Sequence, residues 1–445
     1  MTVVLFVIGV VLLVVGLAVS IALHEIGHLL PAKLFGVRVG QYMIGFGPTL
    51  WSRRIGETEY GVKALPLGGY ISMAGMYPPS KALDGGAEGE RERPTRLGRF
   101  FSTMVQDARA ANDETLVADD ERAFYRLAVW KRVIIMLGGP VMNLVLAVVL
   151  FAILFSGIGV QTATTTVASV SQCVLPADAG RDTCTADDPV APAAEAGIQP
   201  GDVLRSIDGT PVSTFAEATA IIQAHPGDAL PVELTRDGQD LTVTLTPVET
   251  TRAVVDANGR PVTGADGQPR TQQVGFAGVG AQVSLEPQPL WAGPQAAIEN
   301  VGSVAGIMVQ LPVRVWGTAV DLFTGQERDP NGPLSVVGAG RLAGEVAATD
   351  APVLDRVATL IGLLGSLNIA LFVFNLIPLL PLDGGHVVVA LWDGIKRAWA
   401  RLRGRIARPV DATKLVPVTF VVVMLLIGMG GVLIAADLFN PIQLL

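Results

Sequence analysis

The chain has 445 residues, half of them hydrophobic and only 16 % charged, with a mean hydropathy of +0.48, which is too apolar for a soluble domain of ordinary composition. A formal charge of −8 with no dominant basic face excludes a nucleic-acid partner. The class that remains is a polytopic α-helical membrane protein.

In chain order, the first element is an apolar run from Val3 to Leu23, about the 20 residues that a bilayer core requires. It lacks a basic leader and a small-residue cleavage site, so it is read as a retained helix and not a secretory signal. The run leads directly into His24-Glu25-Ile26-Gly27-His28. Residues 37–73 are dense in glycine with alternating apolar residues, among them Gly45, Gly47, Tyr60, Val62 and Gly68-Gly69-Tyr70. That pattern predicts strands and tight turns, a sheet dipping into the membrane where protein covers its backbone. Residues 77–99 are rich in Pro, Gly, Glu and Arg and read as a flexible insertion, followed by a polar helical stretch to Tyr125.

A second span is predicted from Val133 to Gly157, and a polar domain follows it. Within that domain, strands are expected at Val203–Ile207, Leu230–Arg236 and Leu241–Pro247, and a helix from Phe215 to Gln223. Hairpin turns fall at Asp208-Gly209 and Asp237-Gly238. This run resembles a PDZ domain of the kind found in bacterial proteases. Residues 250–274 read as a long loop or extended hairpin. Cys173 and Cys184, the only cysteines, fall in this domain; a disulfide is the natural reading, with two unpaired thiols as the alternative. From Pro294 to Phe323 an apolar face recurs at Ile298, Val301, Val304, Ile307, Met308 and Leu311. Pro312 is expected to divide it into two amphipathic pieces at the membrane surface. Spans three and four are Ala358–Leu380 and Leu415–Ala436, joined by a loop carrying Lys396, Arg397, Arg401, Arg403, Arg405, Arg408 and Lys414.

Lys and Arg concentrate after span one and between spans three and four, which predicts those loops to be cytoplasmic and the polar domain and both termini to lie outside.

The chemistry resides in two motifs. In an H-E-x-x-H helix, His24 and His28 share a face and can reach one metal, with Glu25 as general base on metal-bound water. A shuffled chain with four histidines produces the pattern with odds on the order of one in a thousand. A buried polar cluster without metal is the bland alternative, but ionisable groups inside a span are costly and functional by default. A catalytic zinc takes three protein ligands and keeps an open position. Asp383, in Asn375-Leu-Ile-Pro-Leu-Leu-Pro-Leu-Asp383-Gly-Gly-His386, is predicted at the same membrane face as His24 and His28 and supplies the third, the alternative being a turn residue. His386 is the remaining candidate ligand. His225 reads as a surface residue, and Asn143 either supports the site or serves helix packing.

The HEIGH helix, the Gly-rich segment, Gly138-Gly139-Pro140 with Asn143, the PDZ-like run and the NLIPLLPLDGGH segment together resemble the site-2 protease family of intramembrane zinc metalloproteases. Within it they resemble the bacterial PDZ-containing branch of the regulator of sigma-E protease type, in an actinobacterial-like form with a single PDZ domain. The resemblance implies one Zn2+ on His24, His28 and Asp383, Glu25 as base, and Asn375 on the substrate or the tetrahedral intermediate. It also implies a membrane-reentrant β region that pairs with an unwound substrate strand, a single-span substrate such as an anti-sigma factor, and a multi-pass location in the cell membrane of a bacterium. Many relatives carry two PDZ domains where this chain has room for one, and Pro381 stands one residue later than in some relatives.

The expected organisation is span one with HEIGH at 1–30, the β region at 31–76, the cytoplasmic insertion at 77–128 and span two at 129–158. The extracytoplasmic PDZ-like α+β domain follows at 159–290, the surface segment at 291–350, span three at 351–386, the basic loop at 387–414 and span four at 415–445. The competing readings are a catalytically idle membrane scaffold that binds partners through the PDZ-like domain and, more weakly, a zinc transporter, for which the chain has too few metal-binding residues along a path.

Overall fold

In the computed structural model, which describes residues 2–79, 103–110, 121–175, 183–185, 188–253, 270–405 and 410–442, the first apolar run becomes helix α1, Thr2–Leu34. Its 33 residues span about 50 Å at ~1.5 Å per residue, longer than a bilayer core of ~30 Å. Hairpin β1 (Val39–Ile55) and β2 (Thr58–Met73) follows. The first part of β1 pairs on both sides: Tyr42 lies opposite Ile71 and also opposite Tyr60, so the hairpin curls back on itself. The expected insertion at 77–128 falls largely outside the described residues, which omit 80–102 and 111–120.

Helix α2 covers Val129–Ala152 and ends in a π-turn at Ile153–Ile158. The chain divides into one unit of Met1–Gly157 with Pro289–Leu445, and a second of Ile158–Gln288.

The second unit contains β3 (Val160–Val170), β4 (Val203–Ile207), β5 (Thr210–Pro211), helix α3 (Phe215–Ala224), β6 (Leu230–Arg236) and β7 (Gln239–Leu245). After them come β8 (Val248–Ala253), β9 (Thr271–Phe276) and β10 (Val279–Glu286). The main sheet runs β10-β3-β4-β6-β7 with β5 on β4, and β8 pairs with β9. Asp208 and Asp237 adopt positive φ beside Gly209 and Gly238, the conformation that two-residue hairpin turns require. Thr214 and Glu217 form a reciprocal capping box at the start of α3. Leu204, Ile207, Ala218, Ile222, Val232, Leu234 and Leu245 make the core. Cys173 and Cys184 form a disulfide with Cα atoms 5.9 Å apart.

An ion pair between Asp202 and Arg236 ties this unit. The buried Asp202 carboxylate accepts from Arg236 Nε and Nη2, both at 2.7 Å, and from the Gln199 amide at 2.8 Å. These donors, Arg236 foremost, hold its carboxyl below the usual range. A depressed carboxyl stabilises the fold above its unfolded pKa of about 3.9, and the contribution fades as pH falls through the folded value. Asp202→Ala in the full chain should therefore speed amide hydrogen exchange across β4 at neutral pH, by a loss of about 2 kcal/mol. The difference from wild type should narrow below pH ~4; a gap that widens on acidification would overturn the assignment.

In the first unit, the further long helices among the described residues are α4 (Ala292–Thr324), α5 (Val336–Ala348), α6 (Val353–Asn375), α7 (Asp383–Leu402) and α8 (Val416–Phe439). Among the described residues, five helical segments are long and apolar enough to cross a membrane: Thr2–Leu34, Val129–Ile158, Ala292–Thr324, Val353–Asn375 and Ala412–Phe439. The chain is a polytopic membrane protein with a β region.

Two expectations are corrected. Pro312 does not divide its segment, because α4 is one helix with buried residues on both sides of the proline, Gly293 and Ala297 before it and Val315 and Thr318 after it. Packing on both halves compensates for the lost backbone bond. The loop expected from residue 387 is helical to Leu402, because span three breaks after Asn375 and a new helix begins at Asp383.

Small residues let the helices approach. A Cβ at Gly9 of α1 would stand 2.3 Å from the Ala343 carbonyl of α5, and one at Gly16 would stand 2.9 Å from Leu364 of α6. The Asn368 amide donates to Ser20 Oγ at 3.0 Å, a buried polar link between α6 and α1.

Candidate metal centre

Residues 24 and 28, four apart on α1, present their imidazoles on one face, while Asp383 opens α7 after the break that follows α6. His24 Nε2 and His28 Nε2 lie 3.2 Å apart, and Asp383 Oδ2 lies 3.3 Å from the first and 3.4 Å from the second. Among the described residues this is the one group of three donors that could hold a metal ion.

The triangle fits zinc. Tetrahedral bonds of about 2.0–2.1 Å place ligand atoms about 3.3–3.4 Å from one another, which is the spacing found. Asp383 Oδ2 is buried with no hydrogen-bond donor, as suits an oxygen aimed at a cation.

The outer nitrogens are also engaged. His28 Nδ1 donates to the Ile135 carbonyl at 2.7 Å, which leaves Nε2 as a free lone pair. His24 Nδ1 lies 3.1 Å from the Asn143 amide. The amide atom at 3.1 Å is Nδ2; with His24 Nε2 turned to a metal, Nδ1 carries the proton, and turning the amide over gives it Asn143 Oδ1, buried and without a partner among the described residues, as the acceptor. Both supports come from α2, so that helix orients both imidazoles.

Glu25, on the same turn of α1, is buried. The backbone of β2 passes it at Gly69, where a Cβ would stand 2.9 Å from Glu25 Cγ. Among the described residues β2 pairs with β1 alone.

Gly139 of α2 faces the imidazoles so closely that a Cβ there would lie 2.2 Å from His28 Nε2. The Gly-Gly-Pro sequence is plain to see, but no local signal states that the second glycine abuts an imidazole nitrogen.

The other expected residues lie elsewhere. Asn375 ends α6, and its amide donates to the Leu371 carbonyl at 3.0 Å; among the described residues no hydrogen bond joins it to the triad. His386 stacks on Tyr77 with centroids 6.4 Å apart, and lines a cavity of about 20 Å³ with Arg132 and Asp393, room for a single water. His225 Nδ1 donates to the Ile221 carbonyl at the end of α3. Alanine at His24, His28 or Asp383 should thus lower zinc occupancy of the purified protein by at least ~10-fold, and His386→Ala should not. Equal loss from His386→Ala, read by elemental analysis, would displace Asp383 as the third ligand.

An H-E-x-x-H helix and a distant aspartate converging on one buried point within apolar helices define a metallopeptidase of the membrane. Residues 12–415 match the model of peptidase family M50, and the chain belongs to that family. It is 36 % identical to the zinc metalloprotease Rip1 of Mycobacterium tuberculosis, over 99 % of each chain. It is 34 % identical to Rip1 of Mycolicibacterium smegmatis, again over 99 % of each. A putative zinc metalloprotease of Mesorhizobium japonicum is 31 % identical over 84 % of this chain and 85 % of its own.

Proposed function

We propose that the protein is a zinc-dependent intramembrane endopeptidase that cuts the transmembrane segment of single-span regulatory proteins, anti-sigma factors being the favoured class. The observation that carries this reading is the donor triangle itself, with His28 buried and His24 and Asp383 partly so, two of its corners lying on a helix whose preceding residues are apolar enough to span a bilayer. His24, His28 and Asp383 hold the ion, which supplies Lewis acidity to polarise the scissile carbonyl and acidify water. Glu25 accepts the water proton and returns it to the leaving amine. Asn375 keeps its amide oxygen available to a substrate N–H. A helical substrate must unwind to be cut, and its freed amides can pair with the outer edge of β2 at Gly68-Gly69-Tyr70, beside Glu25.

Four of the five apolar segments are read as spans. The fifth, α4, is read as a helix along the outer surface: Gly293 near its start abuts Ala152 at the end of α2, and Gln326 just beyond it accepts from Asn440 at the end of α8. Both contacts fall at ends of spans predicted to face outward.

The unit of Ile158–Gln288 is read as an extracytoplasmic PDZ-like domain, supported by its capped helix and antiparallel sheet. Its role is a size filter that rejects substrates with bulky outer parts. Val160 pairs with Glu286 and Gly159 adjoins Glu286, so residues 160–286 can be excised and the ends joined. Co-expressed with tagged single-span proteins, the intact chain should cut only truncated substrates, in a Glu25-dependent way, and the excised chain should also cut full-length ones. Refusal by an inserted, zinc-loaded excised chain would make the domain a docking module instead. Absence of any cut within an apolar segment would sink the intramembrane reading.

A further inference from the structure

Helix α7 is not among the segments apolar enough to span a membrane, yet it carries a continuous apolar stripe. Val388, Leu391, Trp392, Ile395, Trp399 and Leu402 are each 47–82 % exposed. At 3.6 residues per turn they fall within an arc of about 100°. The opposite side is the one that packs on the protein, through Ala390 and Asp393, which are buried. Lys396 is exposed at the flank of the stripe, Arg401 is exposed on the opposite side in the last turn, and Arg403 and Arg405 follow the helix. Among the described residues none of these four meets a carboxylate. The helix's one acidic residue beyond its first, Asp393, is already committed to Arg132 at 2.5 Å and Arg397 at 2.8 Å.

The depth of the helix is set by its neighbours. A Cβ at Gly394 would stand 3.1 Å from Val129, the first residue of α2, and the Val410 amide donates to Asp393 at 3.2 Å just before the Ala412–Phe439 segment begins. Helix α7 therefore runs beside the point where two membrane-crossing segments start, at the face that the Lys/Arg distribution marks as cytoplasmic. An apolar stripe flanked by uncompensated cations at that level matches the geometry of an in-plane interfacial helix.

We infer that α7 lies in the cytoplasmic membrane interface and binds anionic phospholipid headgroups, its stripe among the acyl chains and Lys396, Arg403 and Arg405 on the phosphates. Trp392 and Trp399 sit where aromatic rings favour the headgroup level, and the Arg403 guanidinium stacks 4.6 Å from the Trp399 ring centroid. Because α7 begins at Asp383, the anchored helix holds that residue at a fixed depth in the bilayer. The inference concerns a surface away from the metal triad and does not depend on which substrate is cut.

The test uses the full-length protein in nanodiscs of phosphatidylcholine alone or mixed with phosphatidylglycerol. Cys173 and Cys184 are bridged, so a nitroxide reagent will label a single introduced thiol. A label on Ile395→Cys should be open to oxygen and shielded from a water-soluble nickel chelate, and a label on Lys396→Cys should meet the chelate. Phosphatidylglycerol retained by the protein should exceed its bulk proportion by roughly fivefold or more, the factor that one basic side chain supplies at an anionic surface. The threefold variant K396Q/R403Q/R405Q should return to the bulk proportion while keeping its zinc, which shows that the neighbouring fold is intact. Chelate access at position 395 overturns the interfacial placement. Shielding from oxygen as well as from the chelate assigns the stripe to a protein partner or a second copy, and shielding without phosphatidylglycerol enrichment overturns the headgroup assignment.

Discussion

Glu25→Gln is expected to keep its zinc and lose cleavage by about 10²–10⁴-fold, the range over which a positioned acid–base group contributes. The metal is retained because the donor triangle is complete without residue 25: its three edges of 3.2, 3.3 and 3.4 Å involve His24, His28 and Asp383 only. Glutamine preserves the volume at a buried position where the β2 backbone passes at Gly69, so the hairpin should keep its place against α1. What is removed is a proton acceptor one residue from a liganding imidazole. Zinc content by elemental analysis and turnover of a tagged single-span substrate separate the two effects. Loss of metal in this variant would make Glu25 a ligand, and unchanged turnover would leave the base to be sought elsewhere.

The long apolar helices at the four expected places and the three donors that converge were legible in the sequence because their signals are local or few. Apolar runs of bilayer length mark helices directly, and with four histidines in the chain the 24/28 spacing stood out. The Asp-Gly turns and the strands around them were legible for the same reason: two residues determine the turn and period-two alternation determines the strands. Pro312 misled because a proline's effect on a helix depends on what packs against each half, which a one-dimensional pattern does not contain. The α7 stripe was present at 388, 391, 392, 395, 399 and 402, but the count of cations between residues 396 and 414 outweighed its periodicity and pointed to a loop. Asn143 was visible as a polar residue in an apolar helix. Its partner, His24 Nδ1, lies 119 positions away in sequence and became apparent only in the fold.

Gly139 carries the other large expected effect. Helices α1 and α2 cross with backbones nearly touching: a Cβ at Gly27 would lie 2.2 Å from the Gly138 carbonyl oxygen, and one at Gly138 would lie 2.0 Å from that of Gly27. That closeness brings α2 within reach of both imidazoles, giving His28 the Ile135 carbonyl and His24 the Asn143 amide. It also leaves no volume at position 139, where an added methyl would stand 2.2 Å from His28 Nε2 and 2.8 Å from His24 Cε1. Relief requires either rotating His28 off the shared point, which breaks its bond to Ile135, or separating the helices, which removes both supports. Gly139→Ala should therefore weaken zinc binding by at least ~100-fold, since loss of one outer hydrogen bond alone costs 10–100-fold. Gly306→Ala, at a position on α4 with open space around it, should bind zinc like wild type and so controls for a general effect of replacing a helical glycine. Competition with a chromogenic chelator on membrane-extracted protein measures both. If Gly139→Ala holds zinc as tightly as Gly306→Ala, then α2 does not shape the metal site, and the imidazoles must be positioned by α1 and α7 alone.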